Sequence, residues 1–211
     1  MNDPLIIAID GPAGSGKSTL ANALAARLDL DTLDTGATYR AIAALVVARE
    51  IDPHDAEVVA QLAHHASLDV DRRVVIDSVD VTDELRSPAV NQTVSVIAAN
   101  ERVRSALVRW QRAWVAERGG GVVEGRDIGS TVFPDASVKL FLTADATERA
   151  RRRSEEGLAS IERRDLLDSS RAVSPLAVAE DAITIDTTVV TVNEIVEQVL
   201  EHISATGEGT T

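Results

Sequence analysis

The sequence contains no cysteine, only 2% aromatic residues, and two lysines among 21 basic residues. Without thiols there is no disulfide framework and no thiolate metal site. With so few rings, the core of a chain that is 45% hydrophobic must be assembled from Ala, Val, Leu and Ile. No stretch reaches the roughly 18–20 uninterrupted apolar residues of a membrane span. The N-terminus also lacks the basic-then-apolar pattern of a signal peptide. These absences predict a cytoplasmic protein whose 211 residues form one unit of ordinary size. Positive charge is scarce as well. A formal net charge of −13 argues against a general nucleic-acid binder, which displays a basic face. A small anionic ligand stays compatible if cations are concentrated in one cleft. The other 19 basic residues are arginine, so a lysine at position 17 needs a local explanation.

The chain does have short apolar runs separated by helical periodicity. Leu5 to Ile9 is a buried-strand signal ending in Asp10-Gly11. Gly11 to Gly16 is a glycine-rich turn, and Leu20, Ala21, Leu24 and Leu28 then recur at helical spacing. A second strand ends at Asp34, before helices expected from about Ala37 to Arg49 and from Pro53 or Asp55 to about Ala66. Between Leu68 and Val81, valines alternate with Asp, Arg and Ser, which predicts a small antiparallel sheet apart from the main one. Pro88 to Ala99 and Glu101 to Arg118 read as helices, with Trp110 and Trp114 four apart and assigned to packing. Gly119-Gly120-Gly121 reads as a turn. Val122-Val123, Val138 to Leu142 and Ala182 to Ile185 suit central parallel strands. Val192 to Ile203 is an amphipathic helix, and Ala205 to Thr211 is expected to fray. Alternation of this kind implies an α/β fold, a parallel sheet covered on both faces.

Gly11-Pro12-Ala13-Gly14-Ser15-Gly16-Lys17-Ser18 matches the G-x-x-x-x-G-K-[ST] phosphate-binding loop and lies between a strand and a helix, as that loop requires. Small residues let backbone N–H groups close around phosphate oxygens at a helix N-terminus. Lys17 can reach the β- and γ-phosphates of ATP, the Ser18 hydroxyl can ligate Mg²⁺, and Thr19 follows within the site. No Asn-Lys-x-Asp base-reading motif is present, which excludes an ordinary GTPase, and a motor or transporter ATPase needs a longer chain. A small kinase fits best. Its second phosphate site must come from arginines in clefts. Candidates are Arg40 after Thr35-Gly36, Arg104 within a helix, and Arg126-Asp127 beyond the Val122-Val123 strand. Arg164, Asp168 and Arg171 share one helical face, which equally suits a solvated salt-bridge ladder. Four arginines at 149 and 151–153, with Arg149 and Arg153 on one face, repel one another unless an anion arrives, as expected of a phosphate-gripping lid.

Read together, several segments resemble the bacterial cytidylate kinase family. They are Ile9 to Pro12 running into the loop, Leu33 to Arg40, Glu124 to Gly129, Val132 to Ala136, and Arg164-Asp165 through Asp168 to Arg171-Ala172. Two segments, Leu68–Val81 and the stretch between Arg153 and Arg164, are short for that family. The resemblance implies a core from about 1–36, 119–145 and 172–205. It also implies a nucleoside-monophosphate-binding region at about 37–118 and a lid at about 146–171. By the same resemblance Arg40, Arg126 and Arg171 hold the acceptor phosphate. Ser95, Arg104 and Asp127 read cytosine, and Arg164 and Asp168 hold the sugar. The expected partners are small-molecule nucleotides, with Mg²⁺ accompanying ATP, and the chain is expected to be a monomer. Another small P-loop kinase, for example one acting on shikimate, and a non-catalytic nucleotide-binding regulator stay open as alternatives.

Overall fold

A computed structural model describes residues 4–152 and 176–207. The chain begins with β1 (Leu5–Asp10), α1 (Lys17–Leu28), β2 (Thr32–Asp34), α2 (Thr35–Ala48) and α3 (Ala56–His65). A small sheet follows from β3 (Leu68–Val70), β4 (Val74–Ile76) and β5 (Val79–Asp80), then a 3₁₀ turn (Glu84–Arg86), α4 (Pro88–Ala99) and α5 (Glu101–Arg118). The remainder is β6 (Gly120–Gly125), a π-helical turn (Ile128–Val132), β7 (Val138–Thr143), α6 (Ala146–Arg152), β8 (Ile183–Asp186) and a last helix α7 (Val192–Gly207). No helix among the described residues is long and apolar enough to cross a membrane.

The main sheet has the order β2-β6-β1-β7-β8, and every pairing in it is parallel. Alternate residues of the same strand feed two different cores. Ile7, Ile9, Val122, Leu140 and Leu142 pack with Leu20 and Leu24 of α1 and Ile195, Val196 and Val199 of α7. Ala8, Leu33 and Val123 point the other way, into a core shared with α2, α4, α5 and the small sheet. Burial on both faces explains why these strands read as continuous apolar runs rather than alternating ones.

The small sheet is antiparallel and has three strands among the described residues, resolving the short Leu68–Val81 segment. Its tight turn is Asp77-Ser78, both with positive φ (49° and 66°), between the paired Ile76 and Val79. Two left-handed residues in a two-residue loop match the right-handed twist of a hairpin. Val70, Val74 and Ile76 then bury themselves with α2. Trp114 is buried, and Trp110 donates from Nε1 to the Leu68 carbonyl at 3.2 Å, so both rings serve packing.

Three boundaries differ from the sequence expectation. Helix α2 starts at Thr35, two residues early, because the Asp34 carboxylate caps it by accepting from the Ala37 amide. Helix α7 continues through Gly207, beyond the expected start of fraying. The triple glycine is only partly a turn. Gly119 caps α5 in the left-handed region, whereas Gly120 and Gly121 are already strand, paired with Leu5 and Ile6. Close approach is the reason. A Cβ on Gly120, where φ is 144°, would lie 2.6 Å from the Leu5 carbonyl oxygen, and one on Gly121 would lie 3.2 Å from the Trp114 ring.

These glycines give a direct test of packing. Gly120→Ala should lower stability by roughly 2–4 kcal/mol, combining a forbidden contact with a backbone angle that L-residues avoid. Gly119→Ala meets open space and should cost only about 1 kcal/mol for the left-handed conformation. Urea denaturation midpoints of the two variants compare them directly; equal losses would mean that β1–β6 contact is not the constraint at Gly120.

Candidate active site

In open α/β sheets ligands sit beyond the carboxyl ends of the strands. Here a cleft of about 420 Å³ opens at that edge, lined by the phosphate loop on one side and by α2, α4 and the β6 exit on the other. Of the residues singled out from sequence, Gly14, Gly16, Lys17, Ser18, Thr19, Thr35, Arg40, Ser95, Arg104, Arg126 and Asp127 all line it. Gly11, Pro12, Ala13 and Ser15 of the same loop do not line it. Arg153, Arg164, Asp168 and Arg171 lie outside the described residues.

The loop is shaped by what surrounds it. A Cβ on Gly11 (φ 147°) would fall 2.3 Å from the Leu142 carbonyl oxygen, and one on Gly14 (φ 78°) 2.8 Å from that of Arg149. Glycine is therefore obligatory where the loop presses on β7 and α6. Lys17 is buried, and its Nζ donates to the Pro12 carbonyl at 2.9 Å across the loop. Ser18 and Thr19 are exposed to the cleft at the first turn of α1.

At the other end of the cleft, Arg104 of α5 and Asp127 after β6 form a buried ion pair, with side chains only 6% and 8% exposed. Arg104 also lies over the Tyr39 ring, 5.7 Å from its centroid. Arg40 donates to the Leu85 carbonyl and to Asn91 Oδ1, both at 2.8 Å. Arg126 donates to the Gly11 carbonyl at 2.9 Å, linking the β6 exit to the phosphate loop. Thr35 is buried and donates from Oγ1 to the Glu124 carbonyl at 2.8 Å. The sequence-predicted cations from α2, α5 and β6 thus converge on one cavity.

Sequence reasoning passed over two buried acids. Asp10 ends β1, and its two carboxylate oxygens accept from the Ile128 and Gly129 amides, each at 2.8 Å. Burial pushes its carboxyl up to about 6, against the pull of those two amides. Glu124, on β6, lines the cleft together with Ser18. Burial pushes it up to about 7, with the neighbouring Asp34 carboxylate adding to the rise and Lys17 opposing it. An acid directly after Val122-Val123, inside an apolar strand, was the available signal. Among the described residues no group of three or more His, Cys, Asp or Glu could hold a metal. The oxygens present, Ser18 and Glu124, suit an ion such as Mg²⁺ that keeps most of its ligands as phosphate and water.

The arginine run is not the unbalanced cluster expected from sequence. Glu148, one turn earlier on α6, accepts from both Arg151 and Arg152, and those bonds, Arg151's foremost, hold it down at about 2. Arg149 is buried and donates to the Ala144 and Ala13 carbonyls, reaching the loop from behind rather than lining the cleft. Arg152 lines the cleft in its place, together with Arg86 of the 3₁₀ turn. Neither had been singled out as a ligand: Arg152 because one arginine within a run carries no signal of which way it faces, and Arg86 because a lone arginine beside a turn has no motif around it.

The raised Glu124 carboxyl has a consequence for stability. A folded-state value near 7 against an ordinary 4.5 means the folded protein holds this proton more tightly than the unfolded chain. Stability is then lost as pH rises from about 4.5 through 7. Glu124→Gln should remove that loss. The variant should exceed the parent by on the order of 2 kcal/mol at pH 8, with the gap closing toward pH 4.5. Thermal unfolding across that range checks it; a gap independent of pH would separate the effect from ionisation.

Comparison with known proteins accords with this geometry. The cytidylate kinase family model matches residues 7–205. The chain is 46% identical over 216 residues to a cytidylate kinase of Caldanaerobacter subterraneus subsp. tengcongensis, covering 96% of each. It is 47% identical over 216 residues to one from Desulfitobacterium hafniense, covering 95% of this chain and 93% of that one. Among solved structures, TT1252 from Thermus thermophilus aligns over 97% of this chain and 98% of its own with a TM-score of 0.52. At 19% identity that likeness is one of fold. With a phosphate loop in a parallel sheet, a matching family model over nearly its whole length and relatives this similar, the chain belongs to the cytidylate kinase family.

Proposed function

We propose that this chain transfers the γ-phosphoryl group of ATP to CMP or dCMP, giving ADP and CDP or dCDP. One observation carries the reading: a single cleft joins a phosphate loop to a buried Arg104–Asp127 pair flanked by further cations. Donor and acceptor can therefore lie end to end in it. In-line phosphoryl transfer needs mainly positioning and neutralisation of charge. Lys17 and the loop amides take the β- and γ-phosphates, and Arg152 faces the same end. Arg40 and Arg126 hold the acceptor phosphate, a role that Arg171 shares in the family-based reading, with Arg164 and Asp168 on the sugar. The Ser18 hydroxyl, with Glu124 beside it, would hold Mg²⁺, which would supply neutralisation of the phosphate charge. No general base is required, because a phosphate monoester is already anionic near neutral pH.

The same reading assigns 37–118 to the acceptor nucleotide and 146–171 to a lid that excludes water, on a core of 1–36, 119–145 and 172–205. Arg149 and Arg153 fall within that lid region. The protein works in the cytoplasm as a monomer.

Base selection follows from the ion pair. Asp127 gives Oδ2 to Arg104, which leaves Oδ1 to accept from the N4 amino group of cytosine while an Arg104 N–H donates to ring N3. Uracil would set its O4 lone pairs against that carboxylate and its N3–H against a donor. Sites built on such hydrogen bonds reject the wrong partner by up to about 10⁴-fold.

A coupled assay tests the function: ADP release should depend on CMP or dCMP, with UMP a poor substrate and shikimate inert. Asp127→Asn should narrow the gap between CMP and UMP, since an amide can offer a donor to O4. Turnover of UMP or AMP equal to that of CMP would remove the cytosine assignment, and release independent of any acceptor would remove the kinase reading.

Lys17→Ala should leave the fold intact while weakening transition-state stabilisation by on the order of 3–5 kcal/mol. Steady-state kinetics on the folded variant checks this, and near-normal turnover would contradict the donor-site role.

A further inference from the structure

Beyond the residues that face the cleft, one buried hydroxyl ties the phosphate loop to a cleft-facing cation. Thr187 follows β8 and is 7% exposed. Its amide donates to the Thr143 carbonyl at 2.8 Å, fixing it at the end of the β7–β8 ladder. Its Oγ1 lies 2.9 Å from the Ser15 carbonyl oxygen and 3.1 Å from that of Thr143. A hydroxyl has one proton to give. Thr143 already accepts the Thr187 amide, whereas Ser15 precedes the helix, whose first backbone bond begins at the Gly16 carbonyl. The proton therefore goes to Ser15, a fully buried residue of the loop.

The lone pairs of that oxygen point at Arg152. Arg152 Nη1 donates to Thr187 Oγ1 at 2.9 Å, Nη2 to the Thr187 carbonyl at 2.7 Å, and Nε to Glu148 at 2.8 Å. A guanidinium carries five N–H groups, so among the described residues two remain, one on each Nη. The group sits beside the loop, with Nη1 3.8 Å from where a Cβ on Gly16 would be. A long side chain normally loses much rotamer freedom on binding an anion. Here three contacts have already removed it.

We propose that Thr187 is a positioning residue for phosphoryl transfer. It fixes the Arg152 guanidinium relative to the phosphate loop, so that an N–H not engaged by Thr187 or Glu148 meets the terminal phosphates of the donor. The inference rests on the ATP-dependent kinase reading above and adds the hold that orients the cation. The ligand chemistry is a polyphosphate, met by a charge-assisted N–H contact from a guanidinium whose direction is already set.

A double-mutant cycle tests it. Arg152→Ala should lower kcat about 100-fold, as loss of a charge-stabilising donor does. Thr187→Val, similar in shape but without the hydroxyl, should lower kcat about tenfold through misplacement, with KM for CMP changed less than twofold. Thr187→Ser should restore kcat to within about twofold of the parent. Combined, Thr187→Val should add less than twofold to Arg152→Ala, since the hold has nothing left to position. Losses that multiply in the double variant, or an unchanged kcat in Thr187→Val, would overturn the proposal. Should Thr187→Val fail to fold, Thr187→Ala takes its place in the cycle. Absence of CMP-dependent ADP release in the parent defeats the kinase reading instead; calorimetric affinity for MgATP then runs through the same cycle, with the same non-additivity expected.

Discussion

The geometry of the cleft depends on the two hydrogen bonds that the Asp10 carboxylate accepts from the Ile128 and Gly129 amides. Asp10 is the last residue of the strand that runs into the phosphate loop, and Ile128 directly follows Asp127. One side chain therefore locks the donor end of the site to the turn that carries the acceptor end. Arg126, bonded to the Gly11 carbonyl, adds a second tie across the same gap. The strength of the Asp10 contact comes from its burial. In a low-dielectric setting a carboxylate accepting two amides is held firmly, and the raised proton affinity of Asp10 is the destabilising side of that arrangement.

Clustered acids and cations recur through the site. Glu124 and Asp34 raise the local negative potential beside Lys17 and Arg126, while Asp127 neutralises Arg104. An overall charge of −13 is thus compatible with an anion-binding cleft, because the cations are gathered where the strands end. The Lys17 ammonium and the Arg40 and Arg126 guanidinium groups are already oriented by backbone carbonyls. Such preorganisation spares the reorganisation that mobile surface cations would undergo.

Much of this was legible in the sequence, and the rest failed for identifiable reasons. The phosphate loop needs particular residue types at fixed spacing, so Gly11 to Ser18 announced themselves. The parallel strands followed from apolar runs such as Val138 to Leu142, and the small sheet from alternation between Leu68 and Val81. Arg40, Arg126 and Asp127 were found as charges near element ends and Arg104 as an arginine within a helix, but the Arg104–Asp127 pairing, 23 residues apart, is a product of tertiary packing. Glu124 escaped because one acid beside valines resembles a strand terminus. Arg152 escaped because its direction is set by Thr187, which is distant in sequence and itself unremarkable. Gly120 and Gly121 looked like a turn because composition does not distinguish a glycine that bends the chain from one that makes room for a neighbour.

The surroundings of the two lysines are alike. Both lysines thread a narrow stem past a crowded backbone. Lys17 crosses inside its own loop to the Pro12 carbonyl, in a space closed by β7 and α6 on the outside. The Lys139 methylenes run along Gly129, where an added Cβ would come within 3.2 Å of its Cγ and Cδ, before the ammonium meets both oxygens of Asp181. At both positions the contact is made by a compact ammonium on a stem of four methylenes. Elsewhere the task is different: Arg104 against Asp127, and Arg152 against Thr187 and Glu148, must hold an orientation as well as a charge. A planar fork does that and a point charge does not. At these positions the two cations therefore do different work: Lys17 and Lys139 end a packed stem in a point charge, and Arg104 and Arg152 hold a fork in one orientation.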